Sequence, residues 1–329
     1  MTETLFLTSD ELAGLATPGE YVTAVREGYR QQGTAAPRTK LTQDDPEGML
    51  TGYFAILPKT GVMGSYNYAA GFGDNDAHFF LPLFDAGSGR PLALLDGASL
   101  NPFKTGAVGA VAVDALARED ATTLGIIGSG AQARGQLHAS MTVREFKTVN
   151  VYSSTKDNRE SFAAEMNERY EASVGAVASS DAVVEGADVV ITATNATEPV
   201  FDGERLEPGT HVTAMGRYDP DVHEIDATTI EQSTYVPDLR ARATSDAGAF
   251  IQAMDEGRVT ENNIHGDLGQ VLAGEVPGRE TDEEITTFDS GGTAIETVAS
   301  AYMLYKKAKE RDLGEYIDIS PGSEALTGR

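Results

Sequence analysis

Short apolar runs alternate with amphipathic stretches along this chain, and the rhythm changes near Thr122. Before it, apolar runs broken by glycine predict strands at Leu50–Leu57, Gly64–Tyr68, Phe79–Phe84 and Pro91–Leu95. The segment Asp85-Ala86-Gly87-Ser88-Gly89 reads as a hairpin turn between the last two. One helix is expected from Ser9-Asp10-Glu11 through Tyr29, with Ser9 as its N-cap. A second, rich in Gly, Ala and Val, is expected from Lys104 to Leu116. After Thr122, strands are predicted at Leu124–Ile127, Val149–Tyr152, Val174–Ala178, Asp188–Ala193, His211–Met215 and Tyr235–Pro237. Helices fall between them, as at Asp157–Tyr170 and Ser180–Gly186. This βαβ succession predicts a doubly wound parallel sheet running to about residue 290. The last predicted helix, Ala294–Glu310, is long and amphipathic, which suggests that it leaves the sheet region and packs on the N-terminal half.

Within that pattern the segment Leu124-Gly125-Ile126-Ile127-Gly128-Ser129-Gly130-Ala131-Gln132-Ala133 reads as strand, glycine turn and helix start. Gly128 permits a tight turn, Gly130 lets a pyrophosphate approach the backbone, and Ala133 is small enough for the helix to pack on the strand. The helix N-terminus offers N–H groups and partial positive charge to phosphates. A glycine-rich turn alone binds nothing in many proteins; here the flanking strand, helix and second strand Thr148–Tyr152 favour a nucleotide.

Composition narrows the partners. There are 51 acidic residues against 25 basic, a net charge of −26, and only 8 of the basic residues are Lys. Nucleic acid and anionic membrane surfaces are thereby disfavoured. The acids are scattered and form no tail, which points to a protein kept soluble in concentrated salt, where screening removes self-repulsion. With no Cys and five scattered His, no metal site is expected. The N-terminus lacks a basic region followed by an apolar core, and no apolar run approaches the ~18 residues of a membrane span. A cytoplasmic protein is expected.

Dinucleotide folds selective for NAD usually end their second strand with Asp or Glu, which binds the ribose 2′-OH. Here that strand ends Tyr152-Ser153-Ser154-Thr155-Lys156, with Arg159 close behind. Hydroxyls and two cations replace the acid, which favours NADP(H) over NAD(H). The same residues also suit a helix cap, with Ser154 or Thr155 as N-cap, and both roles can hold together. Thr194, Asn195, Gly216, Ser290 and Gly291 complete the candidate cofactor-binding set, with Gly128, Ser129, Gly130, Ala131, Gln132 and Ala133.

Several segments together resemble the ornithine cyclodeaminase/mu-crystallin family, across nearly the whole chain. They are Pro37-Arg38, Pro91-Leu92-Ala93-Leu94-Leu95-Asp96-Gly97, Lys104-Thr105-Gly106-Ala107, the glycine turn, Val276-Pro277-Gly278-Arg279, and Ile285-Thr286-Thr287-Phe288-Asp289-Ser290-Gly291-Gly292-Thr293-Ala294-Ile295-Glu296. The resemblance implies an α/β protein. A Rossmann-type doubly wound parallel sheet domain, residues 118–293, is inserted between segments 1–117 and 294–329. Those two segments would form a second, α+β domain for substrate binding and dimerisation. It further implies a homodimer, a nicotinamide cofactor, a reaction between the two domains, and hydride exchange with a carbon bearing an amine or imine.

The family holds a substrate carboxylate with an Arg after Pro near the N-terminus, a Lys in a G-x-K strand and an Arg in an R-T-A helix start. Arg38 matches the first. Lys104 stands at the third, where a point charge replaces a bidentate fork. No Lys occurs near Met63-Gly64-Ser65-Tyr66, and Ser65 is read as the occupant of that position. Arg38 also reads as a surface ion-pair residue. Lys104 also reads as a solvent-facing helix residue, against which stands the helix dipole. Where the family has a G-x-D strand end with a functional Asp, this chain has Gly216-Arg217-Tyr218-Asp219, so Tyr218 or Asp219 takes the role, or both belong to a turn. His223 and Glu224 are expected at the surface or at a helix start. Tyr66 and Tyr68 share one strand face and would line a pocket, with Tyr66 as a candidate proton donor, or would simply be buried aromatics.

The resulting expectation is an NAD(P)(H)-dependent oxidoreductase acting on the C–N bond of a small amino or imino acid, either an amino-acid dehydrogenase or an imine or ketimine reductase. Arg38 and Lys104 would hold the carboxylate, and Tyr66, Tyr218 or Asp219 would manage the proton. Two alternatives stand beside it. One is an ornithine cyclodeaminase with recycled NAD, which Tyr218 in place of Asp weakens. The other is a non-catalytic binder of NADP(H) and a small ligand.

Overall fold

The structure is a computed structural model and describes residues 2–73, 76–216 and 218–323. It contains two compact units, Met1–Lys104 with Thr293–Arg329, and Thr105–Gly292.

The first unit is built on an eight-stranded sheet. Its strands are β1 (Thr2–Leu7), β2 (Thr34–Ala35), β3 (Thr39–Asp44), β4 (Glu47–Leu57), β5 (Val62–Ala70), β6 (His78–Asp85) and β7 (Pro91–Asp96), with Glu315–Ile319 completing it. The order is Glu315–Ile319, β1, β7, β6, β5, β4, β2, and β3 also pairs with β4. All neighbours are antiparallel except β1 and β7. Strict alternation along β4 sends Tyr53, Ala55 and Leu57 to a covered face and Leu50, Phe54 and Ile56 to the opposite one. Helices Pro18–Arg30 and Ala294–Glu310 pack together in this unit, where Lys307 Nζ meets Glu20 Oε1 at 2.5 Å. The second of them lies over β4 and β5, with Val298 against Gly64.

The single N-terminal helix expected from Ser9 to Tyr29 is in fact two, Ser9–Leu12 and Pro18–Arg30. Gly14, at φ +72°, ends the first, and Pro18 starts the second. Each carries its own capping box, Thr8 with Glu11 and Thr17 with Glu20. Ser9 is therefore not the N-cap; its hydroxyl accepts from the Ser99 N–H at 2.8 Å.

The second unit is a seven-stranded, wholly parallel sheet: β8 (Thr123–Ile127), β9 (Thr148–Tyr152), β10 (Ser173–Ala176), β11 (Val189–Thr192), β12 (His211–Ala214), β13 (Ser233–Pro237) and β14 (Ile285–Asp289). The order is β10, β9, β8, β11, β12, β14, β13. β11 and β12 are buried at every residue, as a parallel strand covered on both faces must be. The doubly wound parallel sheet expected from the βαβ rhythm is present. β14, not predicted separately, inserts between β12 and β13 and carries Phe288-Asp289 to the same edge as the other strand ends. Among the described residues no helix is long and apolar enough to cross a membrane.

Candidate active site

In the second unit, the candidate cofactor residues all follow the carboxyl ends of parallel strands, where open α/β sheets bind ligands. Gly128 follows β8, Ser153 follows β9, Thr194 follows β11, Gly216 follows β12 and Ser290 follows β14. Gly128 has φ +128°, and a Cβ there would meet the Ala193 carbonyl oxygen at 2.3 Å, so only glycine serves. Gly130 is the N-cap of helix Ala131–Ser140 and has open space where a Cβ would stand. No side chain caps that helix, and Ala133 is fully buried on the strand side. Ala131 begins the first turn, and the Oε1 of Gln132 is buried with no hydrogen-bond partner among the described residues. An open glycine at a ten-residue helix N-terminus without a side-chain cap fits a pyrophosphate.

The loop after β9 is tied together by its own groups. Ser129 Oγ donates to Ser153 Oγ at 3.0 Å, and Ser153 Oγ donates to the Thr155 carbonyl at 3.1 Å. Arg159 donates to the Ser153 carbonyl at 2.7 Å, with its guanidinium 5.3 Å from the Tyr152 ring centre. Thr155, not Ser154, is the N-cap of helix Lys156–Arg169, and its hydroxyl makes no capping bond. Lys156 pairs at 3.5 Å with Glu160 on the exposed first turns of that helix. Arg159 thus stands at the Ser153 carbonyl and Lys156 at Glu160, and no carboxylate ends β9.

Thr194 is held by Glu224, which accepts its N–H at 2.6 Å and its hydroxyl at 2.5 Å; Thr192 donates to the same carboxylate at 3.2 Å. Glu224 is therefore not a surface residue. It is 2% exposed, and burial pushes its carboxyl above the usual range against the pull of the threonine donors. It lines a small cavity with Gly216, His223 and Asp289. Asn195 continues the loop from Thr194. Ser290 donates to Asp238 at 2.8 Å, and Gly291 lies against Arg242 and Tyr218. Arg242, buried, binds Asp238, Asp246 and Asp289 and so fastens this turn. Asp219 Oδ1 accepts the Asp221 N–H at 3.1 Å, a local turn contact of the kind Asp-Pro favours.

In the first unit, Arg38, Tyr66 and Lys104 come together around one aromatic cluster. Tyr53 on β4 and Tyr66 on β5 are register partners with ring centres 5.5 Å apart, and Tyr66 stacks on Phe79 of β6 at 5.1 Å. The Arg38 guanidinium lies 4.6 Å from the Tyr53 ring centre and donates to the Tyr68 hydroxyl at 3.3 Å. Lys104 Nζ lies 5.4 Å from the Tyr66 ring centre. Lys104 is the fourth residue of helix Asn101–Leu116 and 3% exposed, so it does not face solvent. Its ammonium stands 3.8 Å from Glu296 Oε1. Tyr66 is 1% exposed, and burial raises its phenol far above the ordinary value. It donates to the Gly97 carbonyl at 3.4 Å.

Ser65 is not the residue that faces this cluster. It pairs with Phe54 on the opposite face of the sheet, and the neighbouring Asn67 amide donates to its hydroxyl at 2.7 Å. A one-residue step along a strand reverses the face. The third position of Gly64-Ser65-Tyr66, where G-x-K has its lysine, holds Tyr66, beside Arg38 and Lys104. The sequence alone assigns no site role to Tyr29, Tyr53 or Glu296, although Glu296 ends the last of the family-resembling segments. Glu296 carried a signal, since Thr293-Ala294-Ile295-Glu296 has the spacing of a capping box, and the structure forms one.

The model of the family described as "Ornithine cyclodeaminase/mu-crystallin family" matches residues 20–312. A Delta(1)-pyrroline-2-carboxylate reductase of Bacillus cereus is 38% identical over 238 residues, 72% of this chain and 73% of that protein. The structure of the Thermococcus litoralis Delta(1)-pyrroline-2-carboxylate reductase, in complex with NADH and L-proline, superposes with a TM-score of 0.90 at 31% identity, covering 95% of this chain and 100% of that one. An archaeal alanine dehydrogenase, a dimer with bound NAD, gives 0.90 at 30% identity, with coverage of 97% and 100%. This chain belongs to the ornithine cyclodeaminase/mu-crystallin family.

Proposed function

We propose that this protein is a nicotinamide-dependent reductase of a small α-imino acid, with a cyclic imine such as Δ1-pyrroline-2-carboxylate as the first candidate. The observation that carries the reading is the pairing of two features in one chain. One is a glycine turn open at a helix N-terminus; the other is a pair of cations, Arg38 and Lys104, on one buried aromatic cluster. Similarity over nearly the whole length to a reductase described with NADH and L-proline supports it.

The cofactor, when bound, supplies a hydride for the C=N carbon. The chain's residues bind and orient. The first turn of Ala131–Ser140 receives the pyrophosphate, and Ser153, Ser154, Thr155, Lys156 and Arg159 receive the adenosine ribose and its 2′-phosphate, so that NADP(H) is preferred to NAD(H). Arg38 and Lys104 attract the substrate carboxylate. Tyr66 keeps its proton and packs as a neutral wall. Asp219, half-buried, or Tyr218, beside Gly291 on the same turn, manages the proton at the nitrogen.

The protein acts as a homodimer in this reading, through the open face of the first unit's sheet. Leu41, Leu50, Phe54, Ile56 and Phe80 stand on that face and are 43–64% exposed, an apolar patch that a second copy would bury. Phe54→Asp is expected to give monomers by light scattering; an unchanged dimer would refute the assigned face. The charge of −26 suits a cytoplasm of high salt, and melting temperature is expected to rise as KCl is added.

The deciding assay mixes the protein in concentrated KCl with NADPH or NADH and Δ1-pyrroline-2-carboxylate. Loss of reduced-coenzyme absorbance with formation of proline supports the reading. Ornithine converted to proline and ammonia with no net coenzyme change would replace it with a lyase. Coenzyme binding without turnover of any imino acid would make the protein a binder.

A further inference from the structure

We propose that Glu296 is a positioning residue that keeps Lys104 charged and fixed beside Tyr66, with Tyr29 and Thr293 fixing Glu296 in turn. This rests on the reading that Arg38 and Lys104 hold the substrate carboxylate.

Lys104 sits in the first turn of helix Asn101–Leu116, where the helix dipole opposes a cation, and it is 3% exposed. A buried ammonium without a counter-charge sheds its proton. Glu296 supplies the counter-charge at 3.8 Å and is itself fully buried. At that distance the contact acts by charge and is not a hydrogen bond. The carboxylate is oriented by other groups. Its Oε1 accepts the Thr293 N–H at 2.6 Å; its Oε2 accepts the Thr293 hydroxyl at 2.5 Å and the Tyr29 hydroxyl at 2.8 Å. Tyr29 OH and Thr293 Oγ1 also meet at 3.0 Å. Three donors therefore hold the carboxylate still. The ammonium also lies over the Tyr66 ring, 5.4 Å from its centre, and the ring attracts a cation by its quadrupole.

The arrangement answers the substitution at position 104. An arginine in the R-T-A pattern stays charged wherever it is buried, whereas a lysine does not. A lysine at this depth needs a fixed anion to do an arginine's work. The capping box of helix Ala294–Glu310 provides one, so a helix-start motif doubles as part of the substrate site.

The test uses the full-length enzyme with its imino-acid substrate. Glu296→Gln keeps the shape and removes the charge. It is expected to raise KM for the imino acid about tenfold, with kcat changed far less and coenzyme Kd unchanged, because uniform binding is what is lost. Adding Lys104→Arg to Glu296→Gln is expected to recover most of that KM, since the guanidinium needs no counter-charge to stay protonated. A folded Glu296→Gln enzyme with unchanged KM would overturn the proposal, as would a double variant with no recovery. Should Glu296→Gln not fold, Tyr29→Phe removes one of the three donors and is expected to raise KM about twofold to threefold; no rise would count against the proposal. Lys104→Met separates the two levels. If it leaves KM unchanged, the carboxylate reading itself fails; if it raises KM while Glu296→Gln does not, only the role of Glu296 fails.

Discussion

The two units of this chain solve opposite problems. The second buries a parallel sheet on both faces and leaves its chemistry to loops at the strand ends. The first covers one face of a largely antiparallel sheet and puts its chemistry on that face, among Tyr53, Tyr66, Tyr68 and Phe79. In the proposed reading the backbone carries the function of the second unit: a positive φ, a helix without a side-chain cap, a sequence of turns. In the first, side-chain charge carries it, and each charge must be compensated where it is buried. Backbone sites tolerate many side chains but almost no change at one glycine. On the reading proposed above, a side-chain site tolerates exchange, as of Lys for the Arg of the R-T-A pattern at position 104, when a partner such as Glu296 compensates.

The largest expected effect breaks the backbone half. Gly128→Val places a branched side chain at φ +128° against the Ala193 carbonyl. Coenzyme binding, followed by NADPH fluorescence, is expected to fall more than about a hundredfold, which is roughly 2.7 kcal/mol. Retained affinity in a folded variant would mean that the turn does not hold the dinucleotide.

Next comes the side-chain half. Arg38→Ala removes a guanidinium held by Tyr53 and Tyr68. A drop of about a hundredfold in kcat/KM for the imino acid is expected, with coenzyme Kd unchanged. Arg38→Lys is expected to recover only part, because the fork is lost. If coenzyme binding fell instead, the division of labour between the two units would be wrong.

That division also explains what could be read from the sequence. The parallel sheet was legible because its signals are local: each strand is a short apolar run, and Gly128, Gly130 and Ala133 lie within one turn of each other. The first unit's site joins residues 29, 38, 53, 66, 104 and 296, which no local pattern connects. Its strand parity was harder still. Ser65 and Tyr66 differ by one position, and only the pairing with Phe54 and Tyr53 shows which one faces the cations. The N-terminal helix was misread because Gly14 and Pro18 were outweighed by the apolar periodicity around them, although the two capping boxes mark the break. Glu224 was misplaced because a carboxylate is seldom buried; here three threonine donors make burial possible.

Acid should separate the two units. His211 is fully buried in the second, bonded to Thr286 and Thr213, and burial pulls its pKa down from 6.5 to about 3. His138, bonded to Tyr170, falls to about 4 for the same reason. A depressed histidine binds its proton more readily in the unfolded chain, so stability is full above pH 6.5 and drains as pH falls toward those values. For His211 the slope is about 1.4 kcal/mol per pH unit within that window. In the first unit Glu20 is lowered to about 2 by Lys307 and the Thr17 amide, so its contribution is present above pH 4.5 and is lost only as pH approaches 2. Hydrogen exchange between pH 6.5 and 4 is expected to show the second unit opening first. His211→Gln should flatten its dependence, and equal loosening of both units would contradict the contrast.

The smallest effect sharpens the backbone side, at the loop after β9 where side chains are proposed to choose the coenzyme. Arg159 spends one donor on the Ser153 carbonyl and lays its plane near Tyr152, so it braces the loop as well as offering charge. Lys156 shares its charge with Glu160 and is largely exposed. Neither is a dedicated phosphate clamp, so the proposed preference for NADP(H) is expected to be modest. Lys156→Ala is expected to weaken NADPH about threefold and leave NADH unchanged, as a solvent-screened charge contributes well under 1 kcal/mol. Arg159→Ala should weaken NADPH about tenfold and NADH about twofold, because it removes both charge and bracing. Glu160→Gln provides the converse: freeing Lys156 from its partner should tighten NADPH slightly, and more at low salt than at high. If all three variants changed NADH and NADPH alike, the residues would serve only the loop, and the missing acid at the end of β9 would carry no information about the coenzyme.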